Sequence, residues 1–254
     1  MFAAHDASAA YYQPGLGGVN PIVVPVIGCG PAVVGNVGTG TEVCGHPADK
    51  VGWAAGIGSK HNFVGLGDYF QWQATYSKGA LKYVDNTQNV SPYGYFTGNT
   101  LGFGWLVDGV VNNVTGGVDL TTVWGLNAAY DHLWTKQFRT SIYASYMAVQ
   151  YDQVANLSMC AIQNSQVTTV GGITNIANCS NNWSVWFVGS RTQYNFTPAF
   201  YVGFDVTYGQ LVTADQGVAT YVAVTNTAKP TGVYNITNQS TVGFQVRFHR
   251  DILP

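Results

Sequence analysis

The clearest pattern in the chain is a strict alternation of apolar and polar residues near its end. From Thr241 to His249, the even positions are Val242, Phe244, Val246 and Phe248, and the odd positions are Thr241, Gly243, Gln245, Arg247 and His249. A period of two is the period of a β-strand whose two faces meet different surroundings. The segment from Phe200 to Gln210 repeats the pattern, so it is not confined to one place.

The same alternation predicts about eight strands along the chain. They run over about 2–12, 51–59, 70–77, 124–131, 139–148, 186–194, 200–210 and 241–249. Long polar loops at about 13–49, 78–119, 152–181 and 212–238 alternate with tight turns, within one domain covering 1–254. Outer-membrane barrels have short turns at one end and long loops at the other. We therefore predict an all-β fold, an antiparallel transmembrane β-barrel.

Composition favours a strand wall between lipid and water over a soluble sandwich. Charged residues make up 9% of the 254 residues, aromatic residues make up 14%, and Glu42 is the single glutamate. The water-exposed face of a soluble β-sandwich is normally rich in Lys and Glu, whereas a membrane barrel needs few charges. Aromatic residues near the predicted strand ends are candidates for interfacial girdles: Tyr12, Tyr76, Trp134, Phe138, Tyr194, Phe200 and Phe248. The net charge of −2 gives no case for a nucleic-acid partner.

The four cysteines fall into two local pairs, Cys29 with Cys44 and Cys160 with Cys179. Each pair lies in one loop-like region, so each is a candidate disulfide in an oxidising compartment. Three pairings are formally open, and proximity favours this one. Neither pair has the close spacing of a zinc site, and we predict no metal centre.

No arrangement of residues predicts catalysis or a cofactor. Asp131 and His132 are adjacent, but neighbours on a strand point to opposite faces, so Asp131 is badly placed to orient His132. The five histidines form no metal-binding motif, and the Gly-rich pieces lack the lysine of a phosphate-binding loop. We therefore predict that the chain is not an enzyme.

Several stretches carry a resemblance to a known family. They are His5 to Tyr12, Gly45 to Lys50 through Gly67 to Phe70, Val188 to Gln193, and Tyr234 through Asn238 to Val242. In these stretches, and from Val123-Trp124-Gly125 to the end, the chain resembles alphaproteobacterial general porins. The resemblance covers most of the chain and is weakest in the loops. It implies a homotrimer in the bacterial outer membrane, in contact with its lipid, that passes ions and small hydrophilic solutes by passive diffusion.

The resemblance covers only the C-terminal half of such a porin, which has a 16-stranded barrel. It implies that this chain lacks the early strands and the loop that folds into the pore. By the alternation, the charged residues facing the pore are Asp6, Lys60, Asp131, Arg139, Arg191, Asp205, Arg247 and His249. These charges either set ion selectivity or pair with one another and stabilise the wall.

Three alternatives to a diffusion channel remain at this point. A small closed barrel of about eight strands would have a structural or adhesion role, although its interior is normally filled by side chains. The small residues on the predicted polar face, Gly, Ser, Thr and Ala, favour a wider pore. The other two alternatives are a non-functional porin fragment and a soluble β-sandwich binding module.

Overall fold

The computed structural model of the chain describes residues 1–7, 9–10, 49–63, 67–85, 93–111, 117–165, 173–174, 176–221 and 230–251. In chain order, its strands are β1 (Phe2–Asp6), β2 (Ala9–Ala10), β3 (Val51–Asn62), β4 (Tyr69–Lys78), β5 (Tyr93–Thr97), β6 (Thr100–Gly104), β7 (Gly109–Val111), β8 (Val118–Leu120), β9 (Thr122–Leu133), β10 (Phe138–Gln150), β11 (Ile173–Thr174), β12 (Trp183–Thr197), β13 (Phe200–Val212), β14 (Gly217–Tyr221), β15 (Gly232–Ile236) and β16 (Gln239–Arg250). A short 3-10 helix covers Leu81–Tyr83, and the helix α1 covers Gln153–Ser165.

Eight of these strands form one antiparallel sheet, which we call the wall sheet. Its order is β1-β3-β4-β9-β10-β12-β13-β16, so the strands that were predicted from the sequence lie side by side in chain order. The predicted all-β antiparallel fold with eight main strands is confirmed. Strand β1 ends at Asp6 instead of continuing to Tyr12, which lies outside the described residues. Among the described residues, the outer edges of β1 and β16 pair with no further strand.

The wall sheet has one apolar face whose large side chains are exposed. Their exposed fractions range from 37% to 71%, in Trp53, Ile57, Tyr76, Trp124, Leu126, Tyr130, Ile142, Val188, Tyr194, Phe204, Tyr208, Val242, Phe244, Val246 and Phe248. An exposed apolar surface of this extent marks contact with a membrane or a partner. A soluble sandwich would bury this face, so the structure does not fit that alternative.

Aromatic side chains lie on the apolar face in two belts. The belt nearer the long loops consists of Trp53, Tyr76, Trp124, Tyr146, Trp186 and Tyr208. Ring centroids are 4.9–5.4 Å apart in the pairs Trp53–Tyr76, Trp124–Tyr146 and Trp186–Tyr208, which is the usual spacing of packed aromatic rings. The belt nearer the short turns contains Tyr130, Trp134, Phe138, Tyr194 and Phe200. Paired girdles at the two membrane interfaces are typical of outer-membrane barrels.

The belt nearer the long loops also reports how the strands tilt. From Trp53 on β3 to Tyr208 on β13, the belt crosses five pairs of adjacent strands. In three of these five crossings, the next aromatic residue lies two positions closer to the turn end, which gives a total displacement of six residues along the strands. This displacement is roughly 20 Å along the strands for about 24 Å across the sheet. Since a girdle lies at one membrane depth, the strands tilt by about 40°, as they do in membrane barrels.

The described parts of the long segments between wall strands pack together at one end of the wall sheet, and we call them the loop cluster (79–85, 93–111, 117–121, 151–165, 173–174, 176–182, 213–221 and 230–238). They contain a five-stranded sheet, β11-β14-β15-β6-β5, and part of a three-stranded one, β2-β7-β8. Their apolar side chains, such as Leu101, Phe103 and Met159, pack with Val149, Trp183 and Leu211 of the wall strands. The main hydrophobic core therefore lies at the loop end of the wall, on the face opposite the exposed apolar one.

The segment after β4 (79–85), which we call the in-folded segment, folds over the face of the wall sheet opposite the exposed apolar one. The expectation that the chain lacks the family's loop that folds into the pore stays a prediction. A Cβ placed on Gly52 would lie 1.7 Å from the carbonyl oxygen of Gly79, so the two backbones touch. Gly79 has a φ of +71°, which favours glycine. A Cβ on Gly125 would lie 2.8 Å from Val84, which follows the 3-10 helix. The sequence prediction missed this segment because close backbone contact leaves no periodic pattern.

Helix α1 also replaces a segment that was predicted as loop. Asp152 caps its start, because the Ala155 backbone N–H donates to Oδ1 of Asp152 at 2.7 Å. The predicted disulfide between Cys160 and Cys179 is present, and it ties this helix to the segment before β12. Cys29 and Cys44 lie outside the described residues, so their pairing stays a prediction. No helix within the described ranges is long and apolar enough to cross a membrane.

The Gly52–Gly79 contact makes a specific prediction about stability. Gly52→Ala should lower the free energy of unfolding by about 1–3 kcal/mol, because the added methyl group forces the two backbones apart. The measurement is unfolding in denaturant, followed by tryptophan fluorescence. The matched control is Gly243→Ala on the same face, where the nearest atom to an added Cβ is 4.0 Å away. Equal stability of the two variants would contradict the close packing at Gly52.

Candidate pore wall

The second face of the wall sheet, which we call the polar face, carries seven of the eight charged residues that alternation predicted for it, all except Asp6. The pairing register places Tyr69, Asp131, Ser141, Arg191, Asp205 and Gln245 in one row across six strands. Because directly paired residues of an antiparallel sheet share a face, these side chains come from the same side of the wall. The row crosses the wall between the loop cluster and the short turns.

Asp131 forms the first of two ion pairs in this region. Its Oδ1 accepts hydrogen bonds from Nε and Nη2 of Arg139 at 3.0 and 2.6 Å. Its Oδ2 accepts one from the hydroxyl of Ser141 at 2.6 Å. The Asp131 side chain is 5% exposed, whereas the Arg139 side chain is 32% exposed. The carboxylate is thus buried and fully hydrogen-bonded, while part of the guanidinium remains open.

Arg191 and Asp205 form the second ion pair with the same asymmetry. They are directly paired on β12 and β13, and Nε of Arg191 donates to both carboxylate oxygens at 2.8 and 2.9 Å. The exposed fractions are 33% for Arg191 and 5% for Asp205. For these two pairs, the structure agrees with the interpretation that the charges pair and stabilise the wall.

The other predicted pore-lining charges are arranged differently. Lys60 places its Nζ 4.0 Å from the ring centroid of Tyr69. Arg247 is exposed on β16 and has no ion-pair partner among the described residues. His249 stacks on Tyr201 at 4.9 Å and contacts Asp251 at 3.0 Å. The backbone of Asp6 pairs with Val51, which belongs to the same alternate set as Trp53 on the apolar face, so the register does not place Asp6 among the polar-face positions, contrary to the prediction. Its side chain lies outside the described residues.

Aromatic side chains lie flat over glycines on the polar face. A Cβ on Gly189 would meet the ring of Tyr143 at 2.5 Å, and the Tyr143 hydroxyl continues to the hydroxyl of Thr207 at 2.6 Å. Phe187 covers Gly209 in the same way. An aromatic ring over a strand glycine restores packing that the missing side chain would leave open. The alternation in the sequence places Tyr143 on this face, but the pore-lining residues predicted from the sequence were charged residues and His249, so Tyr143 was not among them.

An open groove of about 720 Å³ runs along the polar face at β3, β4, β9 and β10. Polar side chains line it: Lys60, Gln71, Gln73, Asn127, Tyr143 and Ser145. Tyr83, at the end of the in-folded 3-10 helix, also contributes to its lining. A groove with amide, hydroxyl and ammonium groups suits water and hydrophilic solutes, and the in-folded segment limits it at the loop end.

At the turn end, a hydrogen-bonded cluster fixes the connection between β3 and β4. The buried carboxylate of Asp68 accepts from the Leu133 backbone N–H at 2.8 Å and from the Tyr130 hydroxyl at 2.7 Å, and contacts Nδ1 of His132 at 2.7 Å. The Leu133 hydrogen bond, followed by those of His132 and Tyr130, lowers the Asp68 pKa from 3.8 to about 2. Asp131 and His132 therefore have separate partners, as their opposite strand faces predicted, and they form no catalytic pair.

A second buried carboxyl group lies in the loop cluster, beside the disulfide. Asp215 has a φ of +56° and exchanges hydrogen bonds with the backbone of Ser180, at 2.6 and 2.7 Å. Its other carboxylate oxygen has no hydrogen-bond partner among the described residues. Its oxygen lies within 4.8 Å of the sulfurs of Cys160 and Cys179. Burial raises the pKa of Asp215 from 3.8 to about 7, against the effect of the Ser180 hydrogen bond.

The comparison with known families agrees with this two-faced wall. The family model of the porin subfamily matches residues 23–244. The chain belongs to the porin subfamily. No curated protein and no solved structure matches it.

For this porin, the family match also gives the place in the cell. Porins are proteins of the bacterial outer membrane, so the predicted location is confirmed. The family is one of transport proteins, consistent with the prediction that the chain is not an enzyme. The alphaproteobacterial origin that the resemblance implied stays a prediction.

The Arg191–Asp205 pair of this porin gives a prediction about stability. Arg191→Gln should lower the free energy of unfolding by roughly 1–3 kcal/mol, because it leaves the buried Asp205 carboxylate without its charged partner. The double variant Arg191→Gln with Asp205→Asn should recover much of this loss. Both are measured by denaturant unfolding. A single variant as stable as the parent protein would show that the pair is solvated.

The raised pKa of Asp215 predicts a pH dependence of the loop cluster. Between pH about 4 and about 7, the folded cluster keeps a proton that the unfolded chain has lost, so its stability falls as pH rises through this window. Hydrogen exchange of segments 176–181 and 213–217, corrected for the intrinsic effect of pH, should therefore show less protection at pH 8 than at pH 5.

The variants separate Asp215 from the other acids of the protein. Asp215→Asn removes the titrating carboxyl group and should flatten this pH dependence. Asp49→Asn, at an exposed position, is the matched control and should leave it unchanged. If protection in Asp215→Asn still fell between pH 5 and pH 8 as in the parent protein, another group would be responsible.

Proposed function

We propose that this porin forms a passive diffusion channel for ions and small hydrophilic solutes. One observation carries the proposal, namely that the wall sheet is apolar and exposed on one face and polar on the other. The residues proposed to line the channel are Lys60, Asp131, Arg139, Arg191, Asp205, Arg247 and His249. Passive diffusion requires no bond to be made or broken, so the wall needs only shape and charge.

The polar face supports a water-filled lumen better than a packed interior. A closed eight-stranded barrel with a structural or adhesion role has an interior that side chains fill. Here, glycines occupy polar-face positions in several strands, including Gly56, Gly58, Gly203 and Gly243. A Cβ on Gly203 or Gly243 would find no atom closer than about 3.9 Å. These nearest atoms belong to Thr192, Tyr201 and Thr207 of the wall itself and are at ordinary contact distance, so no described side chain from across an interior covers the two positions, which favours a wide channel over the small closed barrel.

The proposal also concerns how the channel is completed. The wall sheet has two edges, β1 and β16, and an open strand edge invites pairing. We infer that the whole 1–254 porin domain pairs these edges with further strands, in a barrel of about sixteen strands that assembles as a homotrimer in outer-membrane lipid. The strand tilt of about 40° supports a barrel wall of this kind.

Conductance measurements test the channel directly. The protein, purified in its assembled form from outer membranes, should give stepwise conductance in planar lipid bilayers and should let small sugars enter liposomes. Asn127→Trp should lower the single-channel conductance, because Asn127 lines the groove. Leu126→Trp is the matched control. Leu126 is adjacent to Asn127 but its side chain is on the apolar face, so this substitution should leave the conductance unchanged.

The possible results separate the candidate functions. Conductance that falls in Asn127→Trp alone supports a lumen along the polar face. Equal conductance in both variants would contradict the assignment of the faces. Absence of both conductance and sugar uptake would overturn the channel, in favour of the structural or adhesion role or of a non-functional fragment.

A further inference from the structure

The polar face of the wall buries its acids and exposes its bases. Asp131 and Asp205 are each about 5% exposed, whereas Arg139 and Arg191 are about one-third exposed. Both acids lie behind the guanidinium groups that bind them. A solute moving along this face would therefore meet the cations first, although each ion pair is neutral as a whole.

The hydrogen bonds within the pairs leave donors available. Asp131 uses both oxygens, on Arg139 and on Ser141, and both oxygens of Asp205 bind Nε of Arg191. A guanidinium group has five N–H donors. In the Arg191–Asp205 pair only Nε donates, so the terminal N–H groups of Arg191 are not used within the pair. Such groups match the oxygens of carboxylates and phosphates.

The register places these guanidinium groups near one another. Arg139 pairs directly with Gln193, and Arg191 is two residues away on the same strand. Such diagonal positions are about 7–8 Å apart between Cα atoms, close enough for one anion to contact both side chains. Arg247 lies in the same row as Arg139, three strands away across Gln193 and Gly203, or about 14 Å. Of the two positions between them, Gly203 has no side chain and Gln193 has a neutral amide.

Two further bases give the face a net positive charge. Lys60 lies on an aromatic ring, and Arg247 forms no ion pair among the described residues, although Asp205, the partner of Arg191, lies diagonal to it. The described polar-face positions of the wall strands carry four bases (Lys60, Arg139, Arg191 and Arg247) and two acids (Asp131 and Asp205). Their net charge is +2, with His249 and its partner Asp251 left out of the sum. Basic side chains along a pore favour anions.

From these observations, we propose that this wall makes the channel selective for small anions, with Arg139, Arg191 and Arg247 as the groups that contact carboxylate or phosphate oxygens. The inference rests on the proposed channel function and adds a substrate class to it. The charges of the wall then have both roles considered above, stabilising the wall and selecting the ion. The buried carboxylates hold the arginines in place, and the open guanidinium ends, together with Lys60 and Arg247, select the ion.

The first test is the reversal potential across a potassium chloride gradient, with the assembled protein in planar bilayers. Its sign should show that chloride passes more readily than potassium, and the preference should grow at lower salt, where charges are screened less. Arg247→Gln should reduce the preference, and Lys60→Gln with Arg247→Gln should abolish it. Neither change leaves a buried acid without its partner.

Arg250→Gln is the matched control for Arg247→Gln. Arg250 is exposed on the same strand, but its backbone pairs with Phe200 and it belongs to the alternate set of positions, on the apolar face. Its neutralisation removes the same charge from the protein and should leave the reversal potential unchanged. An equal change in both variants would overturn the inference, since selectivity would then follow total charge and not the polar face.

The second test asks whether the guanidinium group itself contacts the anion. Inorganic phosphate, added to the chloride solution, should reduce the chloride current of the parent protein. Arg191→Lys keeps the positive charge beside Asp205 but loses the paired donors, so phosphate should reduce the current less while the sign of the reversal potential stays the same. Equal reduction by phosphate in the two proteins would overturn the contact role of Arg191.

The results distinguish failure of the inference from failure of the channel. Conductance with a preference for potassium, or with no preference in the parent protein, overturns anion selectivity and leaves the diffusion channel intact. Absence of any conductance overturns the channel and the selectivity that rests on it.

Discussion

The structure depends on the register of eight antiparallel strands. Because side chains alternate along a strand, a slip of one residue would move every side chain of that strand to the other face. In the observed register, Phe204 and Val206 are on the apolar face and Asp205 is opposite Arg191 on the polar face. The ladder also pairs the backbone groups along the strands, which a membrane requires because an unpaired group in hydrocarbon costs several kcal/mol.

The register continues to matter where the wall meets the loops. At the loop end, the positions of the polar face change from charged to apolar, with Val149, Trp183 and Leu211 buried. The loop cluster covers them and forms the main core of the protein. One of its carbonyl groups binds the wall directly, because the Trp105 carbonyl oxygen accepts from Nε1 of Trp183 at 2.9 Å. Within the cluster, the same oxygen accepts from the Tyr151 hydroxyl at 2.7 Å. The polar face thus forms an open polar groove between the loop cluster and the short turns, and it is buried under the loop cluster at the loop end.

Periodicity in the sequence was sufficient to predict the strands of the wall sheet but not the structure of the loop cluster. Alternation predicted the eight strands, their order and the face of each described charge from Lys60 to Arg247, because a period of two is a local property. The in-folded segment was missed because it depends on contact between Gly52 and Gly79, which are distant in sequence and have no side chains to form a pattern. Helix α1 gave only the weak signal of Asp152 at its start.

The pairing of charges required the register as well as the faces. Alternation put Arg191 and Asp205 on one face, but the turn between β12 and β13 and the one-residue register shift between Asn195 and Thr197 together decide that they lie directly opposite. The burial of Asp215 and its positive φ depend on how three loop segments meet. Neither property leaves a mark in a single sequence, so the pH response of the loop cluster had to come from the structure.

The central claim is that one face of the wall meets lipid and the other meets water. Spin labels on Ala144 and Ser145, adjacent residues in the middle of β10, test it most directly in reconstituted protein. The spin-label signal of the protein without these two substitutions is subtracted, so that only the labels at 144 and 145 are compared. The account predicts that a label at 144 is relaxed by oxygen, which concentrates in lipid, and that a label at 145 is relaxed by a water-soluble nickel complex. Equal access of the nickel complex to both positions would contradict it.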